Sequence, residues 1–207
     1  MVGLDMITER YDREAQRLKQ LLPNGPRLAV LGSTDFWHAD SERTCSEIGR
    51  LLAGIPGLAL ITGGVEGIGE AIGRSFFQAS RDAGQEPRVY HVLPQGEEAC
   101  DYGETLFAGG DMTERREILG RLSGLFLMVE GGPRAGHEAD VAAHEAIVIP
   151  VGRSGGYAAT LYSRMNCPVE IDAATWTVLG ARDATPEETA MAVVRAARGC
   201  LERSGDR

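Results

Sequence analysis

Residues 130–140, "EGGPRAGHEAD", pass from an apolar run through two glycines and a short loop into helical spacing, with an arginine in the loop. That order of residue types suits a phosphate: glycines let the backbone approach an anion, and the first amides of a helix point at it with a partial positive charge. A plain strand-to-helix turn uses the same residues. Three further stretches carry similar punctuation directly after apolar runs: "GST" at 32–34, "TGGVEGIG" at 62–69 and "GRSGG" at 152–156. One such group reads as a tight turn; four at equivalent places favour a nucleotide or another phosphate ligand.

Other chemistries are excluded by what is missing. "TGGVEGIG" fits the TGxxxGxG loop of short-chain dehydrogenases, but their reaction uses a tyrosine four residues ahead of a lysine. Lys19 is the only lysine of the chain, and Ala15 stands four before it. The spacing is not that of a GxGxxG dinucleotide fingerprint, and a Schiff-base lysine for pyridoxal phosphate is lacking at the strand ends. His137 and His144 in "HEADVAAH" are seven apart, not the HExxH spacing that puts two imidazoles on one zinc. Cys45, Cys100, Cys167 and Cys200 form no CxxC pair, so neither a metal cluster nor a disulfide framework is written here, and reduced cytoplasmic thiols are expected. No metal and no cofactor is called for. His91, inside an apolar run, reads as a core group. His38 sits in "TDFWHAD" beside Phe36 and Trp37, a loop placed to pack or to cover a crevice and stack on a base.

A net charge of −9 argues against nucleic-acid and anionic-membrane partners, which are gripped by basic patches. Small molecules or proteins are the expected partners. The first 22 residues carry charges too often for a signal or a membrane span, and read as an amphipathic helix with Leu4, Ile7, Tyr11, Leu18, Leu21 and Leu22 on one side, against the domain or a neighbouring subunit.

The elements that must position the glycine groups follow from periodicity. Strands are expected at 27–33, 58–62, 88–93, 124–129 and 146–151, with a minor one at 105–108. Helices are expected at 41–53, 66–83, 112–123 and 135–146, with a short one at 157–165. Asp111 is placed to cap the helix that carries Arg115. In the tail, 185–203, Thr185 reads as a cap, Pro186 as the first helical residue and Glu188 as the return of a capping box. The acidic loop after residue 93 is expected to face outward or meet a partner. Alternating strands and helices predict one α/β domain over 1–207, a mostly parallel sheet with helices on both faces and a ligand crevice at the carboxyl ends of the strands. Arg153, Ser154 and Gly155 either wall that crevice or merely turn the chain.

Across 27–153 the chain resembles the LOG/SLOG superfamily, whose Rossmann-like members include nucleotide phosphoribohydrolases often mislabelled lysine decarboxylases. Three stretches carry the resemblance: "VLGST", "ITGGVEGIGEAIG" and "MTERREIL…FLMVEGGPRAGHEA". The enzymes' arginine motif falls on Arg115, with Arg116 as its basic neighbour, and the glutamate of PGGxGTxxE falls on Glu138. The motif's proline is Glu130 here, its later glycine Arg134 and its threonine Ala135. The resemblance implies that Arg115 and Glu138 are catalytic. It implies that Gly32, Ser33, Thr34, Gly63, Gly64, Gly131, Gly132, Arg134, Ala135 and Gly136 hold a nucleotide phosphate. An arginine at position 134 costs roughly 1–2 kcal/mol if the backbone there needs a positive φ; otherwise its guanidinium is free to fork onto the phosphate. The implied reaction is hydrolysis of an AMP-like nucleoside 5′-monophosphate to free base and ribose 5-phosphate, without metal, by a homodimer or higher homo-oligomer in the cytoplasm. A non-catalytic nucleotide sensor or carrier, acting through self-association or a partner, is the other reading the superfamily implies.

Overall fold

The computed structural model describes residues 2–204. Six strands, β1 (Arg27–Gly32), β2 (Ala59–Thr62), β3 (Val89–Leu93), β4 (Glu104–Phe107), β5 (Leu125–Val129) and β6 (Ile147–Val151), form one sheet in the order β4-β3-β2-β1-β5-β6. Every pairing is parallel, with Leu31 against Met128 at the β1–β5 seam and Leu28 against Leu60 at the β1–β2 seam. Strands buried on both faces read as continuous apolar runs, and β2 and β5 are buried at every position.

Eight helices cover the two faces. On one, α2 (Ser41–Leu52), α3 (Ile68–Asp82), α7 (Ala173–Gly180) and α8 (Pro186–Ser204) pack Cys45, Ile48, Ile72, Phe76, Val193 and Leu179 onto Val30, Leu60 and Leu127. On the other, α1 (Val2–Leu21), α4 (Met112–Leu119), α5 (Pro133–Ala142) and α6 (Gly156–Arg164) bury Leu18, Ile118, Leu119, Ala139 and Ala158 against Leu31, Phe126 and Met128. The connection order reverses at β1, from which β2, β3 and β4 run to one side while β5 and β6 lie on the other, and this opens a crevice beyond the carboxyl ends of β1 and β5.

Local chemistry sets most boundaries. Asp111 caps α4 by accepting from the amides of Thr113 (2.8 Å) and Glu114 (2.9 Å), and the capping box of α8 is formed by Thr185 and Glu188. Three helices differ from expectation by two residues or more. The helix expected over 66–83 begins at Ile68, after Gly67 at φ +94°. The helix expected over 135–146 starts two residues earlier because Pro133, with no amide to lose, takes its first position, and it ends at Ala142. The helix expected over 112–123 ends at Leu119, where Gly120 packs under Val141 of α5 too closely for a side chain. α7 was not expected from periodicity; Asp172 starts it by accepting from the Thr175 amide and hydroxyl.

The apolar stripe of α1 divides. Leu18 and Leu22 are buried and Tyr11 is half-buried against the domain, whereas Ile7 and Leu21 are exposed; the side chain of Leu4 lies outside the described residues. Glu97 and Glu98 of the acidic loop face outward, as expected, while Tyr102 at its end is buried and meets His91 edge-on. Among the described residues, no helix is long and apolar enough to cross a membrane.

Candidate functional site

Beyond the carboxyl ends of β1, β2 and β5 lies a cavity of about 780 Å³. Nine of the residues named from the sequence line it: Gly32, Ser33, Thr34, Gly63, Gly132, Arg134, Ala135, Arg115 and Glu138. A second cavity, of about 700 Å³, opens at the opposite ends of the strands beside Gly25, Arg27 and Gly124. It has neither a buried charged pair nor a helix N-terminus aimed at it, and parallel sheets bind ligands at the other edge.

The two glycine loops interlock before they can shape the cavity. Gly67, at φ +94° and at the start of α3, lies against the first loop so closely that a Cβ would stand 2.3 Å from the Ser33 carbonyl. The Ile68 amide donates to that carbonyl at 3.0 Å. Only glycine has both the conformation and the space.

Arg115 and Glu138 form the floor. The guanidinium, 2% exposed, donates from Nε to the Val92 carbonyl (2.8 Å), from Nη1 to Glu138 Oε1 (2.7 Å) and from Nη2 to the Gly63 carbonyl. A side chain on Gly63 would collide with it. Arg115 therefore ties β3, the second glycine loop and α5 together, and all three nitrogens are engaged. It lines the cavity and holds Glu138 at the same time. Arg116 reaches toward the same carboxylate, Nε to Oε1 3.8 Å, from a less buried position.

Glu138 is 6% exposed. Burial pushes its carboxyl above the ordinary 4.5, against the pull of Arg115 and Arg116. Burial likewise lowers the Arg115 guanidinium, which Glu138 supports. Both shifts say that the pair is costly to desolvate and is held by geometry.

The start of α5 settles the question of Arg134. Residue 134 is helical, so no positive φ is required, and its exposed guanidinium makes no hydrogen bond or ion pair among the described residues. Because Pro133 has no amide and Gly136 N donates to the Gly132 carbonyl (2.9 Å), the N–H groups left without an intrahelical partner are those of Gly132, Arg134 and Ala135. Helix end, free guanidinium and buried carboxylate thus share one wall.

The left-handed conformation sits elsewhere in the same loop, at Glu130 (φ +55°). The resembled motif has proline at this place, and proline cannot adopt that φ. The Glu130 side chain, fully buried, accepts from Ser33 Oγ (2.6 Å), from the Trp37 amide (3.3 Å) and from Ser41 Oγ. Its own amide donates to Ser154 Oγ at 2.7 Å and its carbonyl accepts from Ala158 N at 2.9 Å. No sequence signal marked this hub except a glutamate where an apolar run meets two glycines.

Several named residues fall outside the cavity. Gly64 turns toward Leu93 and His91, its amide donating to Thr62 Oγ1 at 3.1 Å. Gly131 gives its carbonyl to the Tyr157 amide (2.8 Å), and Gly136 leaves room for the Tyr157 ring. These two serve the packing of α5 on α6. Arg153 pairs with Asp40 (2.7 Å) and, with Ser154, backs Glu130, so the 152–156 loop supports the wall from behind. His91 is buried and bonded through Nδ1 to Thr62 (2.8 Å); His137 is exposed and meets Glu117 (2.6 Å). Asp35 and Glu66, unremarked in the sequence, line the cavity, as does Trp37.

No protein-family model matches the chain, and no curated protein matches it by sequence. Solved structures do. TM1055, a structural-genomics target, is similar over 67% of this chain and 81% of its own, with a TM-score of 0.58 and 22% identity. The molybdenum cofactor binding protein of the phototrophic bacterium Rippkaea orientalis is similar over 60% and 75%, with a TM-score of 0.51 and 20% identity. DNA processing protein A from Helicobacter pylori, described as binding single-stranded DNA, is similar over 70% and 75%, with a TM-score of 0.51 and 13% identity. At these identities the likeness is one of fold: the chain has a Rossmann-like α/β fold.

Proposed function

We propose that this protein binds a nucleoside 5′-monophosphate over β1 and β5 and hydrolyses its N-glycosidic bond, releasing free base and ribose 5-phosphate. One observation carries the reading: Glu138, a buried carboxylate oriented by Arg115 at 2.7 Å, shares a cavity wall with the unbonded amides of α5 and the unpaired Arg134. The amides and Arg134 hold the phosphate, with Arg116 beside them. Ala135 lacks the hydroxyl of the resembled motif, so the arginines carry more of the anion. As the C1′–N bond breaks, its electron pair leaves with the base and positive charge builds on the ribose, which Glu138 faces. Water adds at C1′ and gives a proton to the carboxylate, which returns one to the departing base.

The decisive experiment incubates pure protein with AMP, GMP, CMP, UMP and IMP and follows released base by chromatography. Release from at least one nucleotide, lost about 100-fold or more in Glu138→Gln while binding stays within a few fold, supports the mechanism. Full turnover by Glu138→Gln overturns it.

Binding without turnover is the second reading, that of a sensor or carrier. The donation of every Arg115 nitrogen to the protein favours it, since only two of the five N–H groups are left for a substrate. Its signature is a rise in melting temperature with one nucleotide and no base released from any. In either case the net charge of −9 supports a small-molecule ligand over single-stranded DNA. We further propose self-association through the exposed side of α1 that bears Met6, Ile7 and Leu21, read by analytical ultracentrifugation.

A further inference from the structure

Charge in the cavity is divided by element. Arg116 and Arg134 come from α4 and α5, whereas Asp35 and Glu66 come from the loops after β1 and β2. Neither acid is in an ion pair among the described residues, and both are exposed. Trp37 lines the same cavity and remains 47% exposed although its backbone is fastened. Its amide is held by the fully buried Glu130. Its six-membered ring lies on the start of α6, where a Cβ at Gly156 would stand 2.5 Å from Cζ3. A fixed backbone, a bare glycine behind the indole and open space beside it describe a flat surface held ready, at the cost of leaving a large apolar ring in water.

Building on the nucleotide reading above, we infer that the indole of Trp37 is the platform for the ring of the ligand and that Asp35 and Glu66 receive N–H groups of that ring. The ligand class is then an amino-bearing heteroaromatic ring attached to a phosphate-bearing sugar or side chain. A flat ring gains most from stacking on an indole that needs no reordering. Carboxylates at the rim accept N–H groups and repel ring carbonyls. An adenine ring offers its exocyclic N–H groups and no carbonyl; a hypoxanthine ring offers a single N1–H beside a carbonyl that the acids repel.

Trp37 and Trp176 are the only tryptophans, and Trp176 is stacked on Tyr162 (centroids 4.6 Å apart) outside this cavity, so emission from Trp37 is a clean reporter. The full chain is titrated with AMP, IMP and ribose 5-phosphate, by fluorescence and by calorimetry. AMP is expected to quench the Trp37 emission and to bind about tenfold more tightly than IMP, and ribose 5-phosphate to bind without quenching. Trp37→Leu is expected to weaken AMP about tenfold with ribose 5-phosphate unchanged, and Trp37→Phe to retain AMP affinity within about threefold. The Asp35→Ala, Glu66→Ala double variant is expected to bring AMP and IMP together. Binding of AMP with unaltered emission, or equally tightly by Trp37→Leu, overturns the platform; equal affinity for AMP and IMP in the parent overturns the role of the acids. If ribose 5-phosphate and the nucleotides all fail to bind, the nucleotide reading itself falls and takes this inference with it.

Discussion

Glu130 and Glu138 are eight residues apart in one loop and helix, and both are buried. Glu138 faces the large cavity and is held by two arginines; Glu130 lies outside that cavity, makes no ion pair among the described residues and is wrapped by two hydroxyls and an amide. The first arrangement keeps a charge available beside open space. The second spends a carboxylate and a strained backbone on joining three loops, which leaves the Ser33 hydroxyl, expected on the phosphate, donating to the protein itself. A carboxylate's role at a β–α junction is thus set by what counters its charge and whether the space beside it is open.

The largest expected effect comes from removing the counter-charge of Glu138. Arg115→Met leaves a buried carboxylate without its main partner and frees the Val92 and Gly63 carbonyls, and urea denaturation should register a loss of about 3–5 kcal/mol. Adding Glu138→Leu should recover much of it, because the unpaired charge goes too; no recovery would mean that Arg115 acts through the carbonyls alone. Next, Glu130→Ala should cost about 2–3 kcal/mol through its abandoned donors. Glu130→Gly should cost about 1 kcal/mol less by relieving the left-handed backbone. Equal losses for the two variants would remove strain from the account of Glu130.

Activity sharpens the same contrast. Glu138 must be ionised to face the developing cation, and burial raises its pKa. As pH falls it therefore takes up its proton at a pH above the ordinary 4.5. The acid limb of kcat/KM should lie above that value and steepen to about tenfold per pH unit, equivalent to about 1.4 kcal/mol. A limb at or below 4.5 would mean that the arginines beside Glu138 outweigh its burial. Smallest is Asp111→Ala: the lost cap of α4 should cost about 1 kcal/mol by thermal denaturation, with a slight loss of turnover through a less firmly aimed Arg115.

Much of this architecture is legible along the chain because it is periodic or local. Apolar runs bounded by glycine or proline mark all six strands, including the short β4, and the caps at Asp111 and Thr185 rest on residues within three positions. α7 escaped because "AATWTVLG" has no amphipathic period to find. In the site, nine of the residues lining one cavity were named because glycines, an arginine helix and a glutamate recur at strand ends. Gly64, Gly131 and Gly136 were named on the same grounds and lie outside it, against Leu93, Met128 and Tyr157: residue type at a junction records the need for a tight backbone without recording which side faces the cavity.

The sequence by itself determined the parallel α/β sheet, the carboxyl-end crevice and the residue types around it, since burial pattern and turn chemistry act over a few residues. Only the tertiary structure decided that Arg115 spends its guanidinium on Val92, Gly63 and Glu138, that Arg134 stays free, and that Glu130 closes on Ser33, Trp37 and Ser41. Those outcomes depend on side chains dozens of positions apart competing for the same few hydrogen-bond partners, a competition that distance in space resolves and spacing along the chain does not record.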